Sequence, residues 1–377
     1  MQIAVVGRGL IGSAAARHLA MQGQDVILIG PSEPTEPQRH DGVFGSHYDE
    51  GRITRSLDPS PFWSRVSRES IARYEQIEVA SGVRFFHETG LIMAGPEGSG
   101  PISDVERVAA RDGIRCQPFR GTDLAERFAY FSFAGDTLAL FEPRRAGHIN
   151  PRALVRAQGI AAQRAGARIL DAVVTGMHET AAGVVVQTAQ GEVEADQVLV
   201  AAGGFSKALL GEAISLKVYA RTVLLLEVDA AEQARLAGMP PLIWLGPEGE
   251  DPYLLPPIRY PDGKTWLKIG GDPENVALET DQDMRDWFRS GGNPEVGAYL
   301  DEAIRARMPE LRCASTRIAA CVTSYSDDGQ ALIDRLSARV SVATAGCGKA
   351  AKNSDELGRL GGEVVLGRQL PDWAARV

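Results

Sequence analysis

Gly7-Arg8-Gly9-Leu10-Ile11-Gly12 is the first stretch whose residue types and spacing could do chemistry. An apolar run, Ile3 to Val6, leads into it, and a stretch of helix formers, Ser13 to Gln22, follows. A glycine pattern alone says little, but a strand before it and a helix after it make a dinucleotide-binding turn. Gly7 permits the sharp bend, Gly9 lets backbone approach a pyrophosphate, and Gly12 lets the helix pack close to the strand. The helix start, at Leu10 and Ile11, then offers phosphate unpaired N–H groups and a positive dipole end. One expected part is missing. The acid that would hold ribose hydroxyls belongs at the end of the next strand, Val26 to Ile29, where this chain has Gly30, with Ser32 and Glu33 as substitutes.

Side-chain chemistry is concentrated further along. Arg52-Ile53-Thr54-Arg55 carries two guanidiniums, which hold carboxylates bidentately and stay charged. Structural ion pairs are their competing use. Lys268 lies inside Trp266-Leu267-Lys268-Ile269-Gly270, where an inward ammonium is costly unless paired or used, and a surface position on an edge strand is the alternative. Cys116, Cys313, Cys321 and Cys347 show no CxxC spacing and histidines number six, so neither a structural zinc site nor any other metal is expected. A free thiol is most often a small buried hydrophobe, but one or more of these four is open to chemical use.

The elements that must position these groups follow an α/β pattern at both ends of the chain. After the opening β-α-β unit, Phe62 to Ala80 has helical spacing, Arg84 to Ala94 reads as one or two strands, and Pro151 to Ala165 reads as a helix with Asn150 as N-cap. Short strands follow at Ala167 to Val174, Val184 to Thr188 and Gln197 to Ala202. The last of these runs into Gly203 and Gly204, where small residues let backbone lie against a bulky ligand. Val218 to Asp272 is strand-rich, Asp281 to Met308 mostly helical, Val340 to Ala345 a strand and Glu356 to Leu366 a helix. At 377 residues two domains are expected, a nucleotide domain interrupted by a second one.

Net charge is −9, which argues against nucleic acid or anionic membrane as a partner. No apolar run approaches the roughly 18 residues of a membrane span. The N-terminus begins directly with a buried-strand pattern, so no secretory signal is expected and the location expected is cytoplasmic, where a disulfide framework is not expected.

The stretch Gly45-Ser46-His47-Tyr48-Asp49-Glu50-Gly51-Arg52-Ile53-Thr54-Arg55 resembles the Ser-His…Thr-Arg-Ile-Ile-Arg segment of the monomeric sarcosine oxidase and N-methyltryptophan oxidase family, within the D-amino-acid-oxidase-like flavoproteins. The likeness continues through His87-Glu88-Thr89-Gly90, Gly147-His148-Ile149-Asn150-Pro151, Trp266 to Gly270, and Cys321 to Asp334. It implies an α/β (α+β) fold: a Rossmann-type FAD-binding domain from 1–84, 146–216 and 318–377, with an inserted antiparallel-sheet substrate domain from 85–145 and 217–317. It also implies FAD held at Gly7, Gly9, Leu10, Ile11, Gly12, Ser46, Arg52, Ala202, Gly203, Gly346, Gly348, Lys349 and Lys352, and joined covalently to Cys321. Arg52 would lie near the flavin ring. Lys268 would stand beside the reacting flavin nitrogen and stabilise superoxide.

Two places depart from the family pattern. The family's Gly-Phe-Ser-Gly-His-Gly-Phe-Lys loop is Ala345-Gly346-Cys347-Gly348-Lys349-Ala350-Ala351-Lys352 here, with Lys352 the first equivalent of its carboxylate-binding lysine and Lys349 the second. Asp272 replaces a histidine; in the pocket it would favour a substrate with an extra cationic group, and a solvated turn is its simpler role. With Arg55, Lys352, Tyr253 and Asp272 around the substrate, the resemblance implies oxidation of a small secondary or N-methylated amino acid to its imine, with molecular oxygen as acceptor and H2O2 as product. A dehydrogenase passing electrons to another acceptor, an NAD(P)-dependent reductase and a non-redox flavin protein are the rivals. A monomer or weak homodimer is expected.

Overall fold

The structure is a computed structural model that describes residues 1–375. Strand Gln2–Val6 lies inside a six-stranded sheet, paired in parallel with Asp25–Ile29 on one side and Gln197–Val200 on the other. Arg168–Leu170 and Val340–Thr344 extend it in parallel, and Leu332–Arg335 closes one edge antiparallel.

Alternation along the opening strand explains why the whole run is apolar. Ile3 and Val5 pack with residues of helices Leu10–Met21 and Ala350–Val365. Ala4 and Val6 pack on the opposite face, against Val184 and Val186 of a three-stranded meander. A strand covered on both faces has no polar side to show.

The second sheet has eight strands. In spatial order they are Ser315–Tyr325, Lys217–Glu227, Thr265–Gly270, Tyr253–Arg259, Leu242–Trp244, Leu91–Pro96, Thr137–Glu142 and Gln117–Arg120. All its pairings are antiparallel except Leu242–Trp244 with Leu91–Pro96. One face buries Leu224, Leu226, Leu267 and Ile269 against Leu300 and Ile304 of helix Pro294–Arg307. Ser315–Tyr325 pairs with Lys217–Glu227 along its whole length, so this strand runs through the expected boundary at 318.

A small sheet of Arg52–Thr54, Gly147–Ile149 and Phe86–Glu88 carries the arginine pair. Helix Pro151–Arg164 has the expected cap, with Asn150 Oδ1 accepting the Ala153 N–H at 2.8 Å. The stretch from Phe62 is two helices, Pro61–Ile71 and Tyr74–Ser81, and the last helix begins at Ala350. Among the described residues no helix is long and apolar enough to cross a membrane.

Candidate active site

The C-terminal ends of the parallel strands open onto a cleft of about 780 Å³, whose other wall comes from the eight-stranded sheet. Strand ends of this kind are where α/β sheets bind ligands, and the volume falls in the usual range for small-molecule sites. The backbone at one end is shaped by glycine. Gly7 has φ +113°, and a Cβ there would run into the Ala201 carbonyl; one on Gly12 would run into the Gly7 carbonyl. Gly9 differs. Its Cβ would meet only His47 Nδ1, at 3.9 Å, so its open side faces the cleft. As the helix N-cap, Gly9 supplies no side-chain acceptor to the first turn. This is the cradle a pyrophosphate needs, and FAD fits it.

The ribose end is built differently from the usual pattern. A Cβ on Gly30 would stand 2.5 Å from the Arg8 nitrogen, so no carboxylate can rise there. Glu33 is held by Arg152 at 2.6 and 2.7 Å. Ser32 donates its N–H to Asp171 Oδ1 at 3.0 Å, and Arg8 reaches the same carboxylate at 3.2 Å. Hydrogen bonds from Ser32 lower the Asp171 pKa. Asp171 escaped the sequence reading because it ends a different strand from the one searched.

Across the cleft, the Arg52 guanidinium reaches the Ser46 carbonyl at 3.2 Å and Cys321 Sγ at 3.4 Å. Ala202, Gly203, Tyr253, Gly346 and Gly348 line the same space. His47 lines it too. Its pKa is pushed down to about 3 by burial and by the Arg152, Arg52 and Arg8 charges, so its imidazole is neutral. Burial raises Tyr253 to about 12. The remodelled loop is strained: Ala345, Cys347 and Gly348 all have positive φ, at 56°, 47° and 71°. Left-handed backbone at non-glycine residues persists where its surroundings enforce it, and clusters at functional sites.

Arg55 anchors the pocket floor. It is buried, its Nη2 is 3.5 Å from Asp58, and its Nε has no hydrogen-bond partner. Asp58 has no exposed surface and takes Lys349 Nζ at 2.8 Å, with Lys352 at 3.8 Å. Burial would raise the Asp58 pKa, but the three surrounding cations win and hold it below its ordinary value. Lys352 also lines the cleft but is 2% exposed and donates to Ser67, while Lys349 is about a quarter exposed. Asp272 lines the cleft, but its carboxylate accepts the Thr222 N–H at 2.9 and 3.2 Å, so it serves backbone rather than a turn in water.

Lys268 does face inward, with 1% of its surface exposed. Its ammonium donates to Asp49 Oδ2 at 2.6 Å and to the Gly51 carbonyl. Among the described residues lining the cleft, neither Lys268 nor Asp49 appears; they stand one layer behind Arg52. Burial and the Arg52 charge push the Lys268 pKa well down, with Cys321 acting the other way, and Asp49 at 2.6 Å is its ion-pair partner.

The model of a family described as FAD dependent oxidoreductase, DAO, matches residues 2–363. This chain belongs to that family. Among curated relatives, N-methyl-L-tryptophan oxidase of Yersinia pestis is 30% identical over 209 residues, 55% of this chain and 54% of the relative. The match therefore spans about half the length of these relatives. A variant of NikD, an unusual amino acid oxidase essential for nikkomycin biosynthesis, superposes with a TM-score of 0.79 at 20% identity, covering 97% of this chain and 93% of that one. Amadoriase I of Aspergillus fumigatus, a fructosyl amine:oxygen oxidoreductase, gives 0.75 at 19% identity, with 99% and 88% covered. These two show the fold shared across DAO flavoproteins, a Rossmann-type nucleotide domain with a second sheet.

The sequence reading missed Asp49 and Asp58, which pair with the cations, and Glu142, whose carboxylate accepts the Ser56 and Leu57 N–H groups at 3.0 and 3.1 Å next along the chain from Arg55. A signal was present for two of them. Each arginine of the pair has an acid three positions away, Asp49 before Arg52 and Asp58 after Arg55, and both form ion pairs.

Proposed function

We propose that this chain oxidises the carbon beside the nitrogen of a small secondary or N-methylated amino acid, giving an imine that water hydrolyses. The observation that carries this reading is Arg55: a buried guanidinium with an unpaired Nε, lining the cleft that begins at the dinucleotide turn. A substrate carboxylate would supply the missing acceptor, and Lys349 stands near enough to share it. Fixing the carboxylate holds the amine carbon toward the reacting end, where orientation alone contributes much of the rate. The names of the relatives, an N-methyl amino acid oxidase and an amino acid oxidase, point to the same substrate class.

FAD supplies the hydride acceptor when bound. Residues 1–84, 146–216 and 318–377 would form the FAD domain and 85–145 with 217–317 the substrate domain, with Arg55 and Lys349 reaching the substrate from the first and strand Ser315–Tyr325 shared across the boundary. Cys321 Sγ lines the cleft beside Arg52, which supports a covalent link through this thiol. Acid precipitation of the purified protein tests this. Yellow colour should stay in the pellet and move to the supernatant in Cys321→Ala; colour retained by the variant refutes the linkage.

Molecular oxygen is the proposed acceptor, with H2O2 released. A second reading, a dehydrogenase using another acceptor, is favoured by one observation: Lys268 is neutralised by Asp49 and set behind the cleft wall. A panel of N-methyl and cyclic amino acids mixed anaerobically with holoprotein should bleach the flavin. Turnover in air without peroxide would move the assignment to the second reading, and failure of every amine to bleach would end both.

A further inference from the structure

We propose that Asp49 is a positioning residue that cancels cationic charge behind the reacting end of the cleft, and so slows electron transfer from reduced flavin to oxygen. The inference rests on the FAD reading above and deepens its second form, in which oxygen is a poor acceptor; rapid reoxidation in air would return the assignment to oxygen.

The geometry is that of a deliberately fixed anion. Asp49 is buried, and its two oxygens receive the Lys268 ammonium at 2.6 Å, the Tyr260 hydroxyl at 2.7 Å and the Glu50 N–H at 2.7 Å, with Arg52 as a further ion-pair partner. Arg52, which reaches Cys321 Sγ at 3.4 Å, and Lys268 therefore share one carboxylate. Lys268 has a second hydrogen on the Gly51 carbonyl. It is not free to swing into the cleft without breaking two buried contacts.

Oxygen reacts by taking two electrons and two protons from reduced flavin, giving H2O2 and oxidised flavin. The first electron makes an anion, and a nearby positive charge stabilises it. An isolated ammonium would do so over several ångströms. An ammonium 2.6 Å from a carboxylate presents a dipole instead, whose effect falls away faster with distance. A cation in this position without its carboxylate would favour oxygen; with it, the reacting end keeps one net positive charge among three groups.

The test uses holoprotein reduced anaerobically with dithionite, then mixed with air-saturated buffer while flavin absorbance returns. Wild type should reoxidise no faster than free reduced FAD. Asp49→Asn should react about tenfold faster, a modest share of what one uncancelled charge can contribute at protein dielectric, and adding Lys268→Met should remove the gain. Sulfite titration of the oxidised protein gives a readout without turnover. Asp49→Asn should bind sulfite several times more tightly, and Asp49→Glu should match wild type. A purely structural ion pair would move neither quantity in this direction. Wild type reoxidising far faster than free FAD, or Asp49→Asn leaving both rate and sulfite affinity unchanged, overturns the proposal, and the first of these needs no variant. A colourless protein that takes up no FAD would be seen before any mixing and would overturn the parent reading together with this one.

Discussion

The two ends of the cleft are made of different material. At the dinucleotide end, shape is set by backbone: Gly7, Gly12 and Gly30 are glycine because another backbone atom occupies the place of their side chains. At the reacting end, shape is set by charge: Arg52, Arg55, Lys268, Lys349 and Lys352 are held by Asp49 and Asp58. The first kind of site fails all at once when a single atom is added. The second kind degrades by degrees, because each ion has several partners. That contrast sets what substitution should do at each end.

The largest effect belongs to the backbone end. Gly12→Val should abolish FAD binding, since even its Cβ meets the Gly7 carbonyl, and flavin content by absorbance is the check. A variant that still purifies yellow would show the turn to be more forgiving than its packing implies.

Next comes Asp58→Asn. The shape is kept, but Arg55, Lys349 and Lys352 lose their shared counter-ion in a fully buried place. Breaking a buried pair by removing one partner costs about 3 kcal/mol. Lys352, already pushed down by burial, should shed its proton and soften the loss. Urea unfolding measures the change. A shift under about 0.5 kcal/mol, the level of an ordinary surface substitution, would mean the cations carry one another's charge without Asp58.

Arg55→Met is smaller in free energy but more specific. Loss of a charge-assisted carboxylate contact should lower kcat/KM by about 100-fold, while the unfolding midpoint moves little because Asp58 keeps Lys349. Equal loss for amines with and without a carboxylate would break the assignment of Arg55 as the anchor.

The difference between the ends also governs what could be read from sequence. Backbone sites announce themselves locally: Gly7, Gly9 and Gly12 lie within six residues, and Asn150-Pro151 caps the helix it begins. Charge sites do not. Lys268 was legible as an inward lysine because an apolar strand surrounds it, but its partner Asp49 lies 219 positions earlier. The helical stretch from Phe62 was read as continuous because nothing local marks the break at Arg73. That side chain turns to Asp355, 282 positions away, at 2.5 Å. Ser315–Tyr325 was missed as a strand for another reason. It lies at the edge of its sheet, mostly half-buried, and shows no alternation of buried and exposed residues.

The smallest effect concerns His148, in the small sheet that carries the arginine pair. Its ring stacks on His87 at 4.8 Å, its Nδ1 is buried without a hydrogen-bond partner, and burial with the His87 and Lys268 charges pushes its pKa down to about 3. An unfolded histidine titrates near 6.5. The unfolded chain therefore binds more protons than the native state between those two values, so stability is fully present above about 6.5 and falls as pH drops toward 3. The slope approaches about 1.4 kcal/mol per pH unit for one such group. His148→Gln removes this contribution, so its unfolding free energy should fall less steeply than wild type between pH 6.5 and 5, above the range where most carboxylates titrate. Parallel curves would mean that His148 takes up its proton in the native state. The imidazolium would then stand near Lys268, and the charge balance set by Asp49 would have to include it.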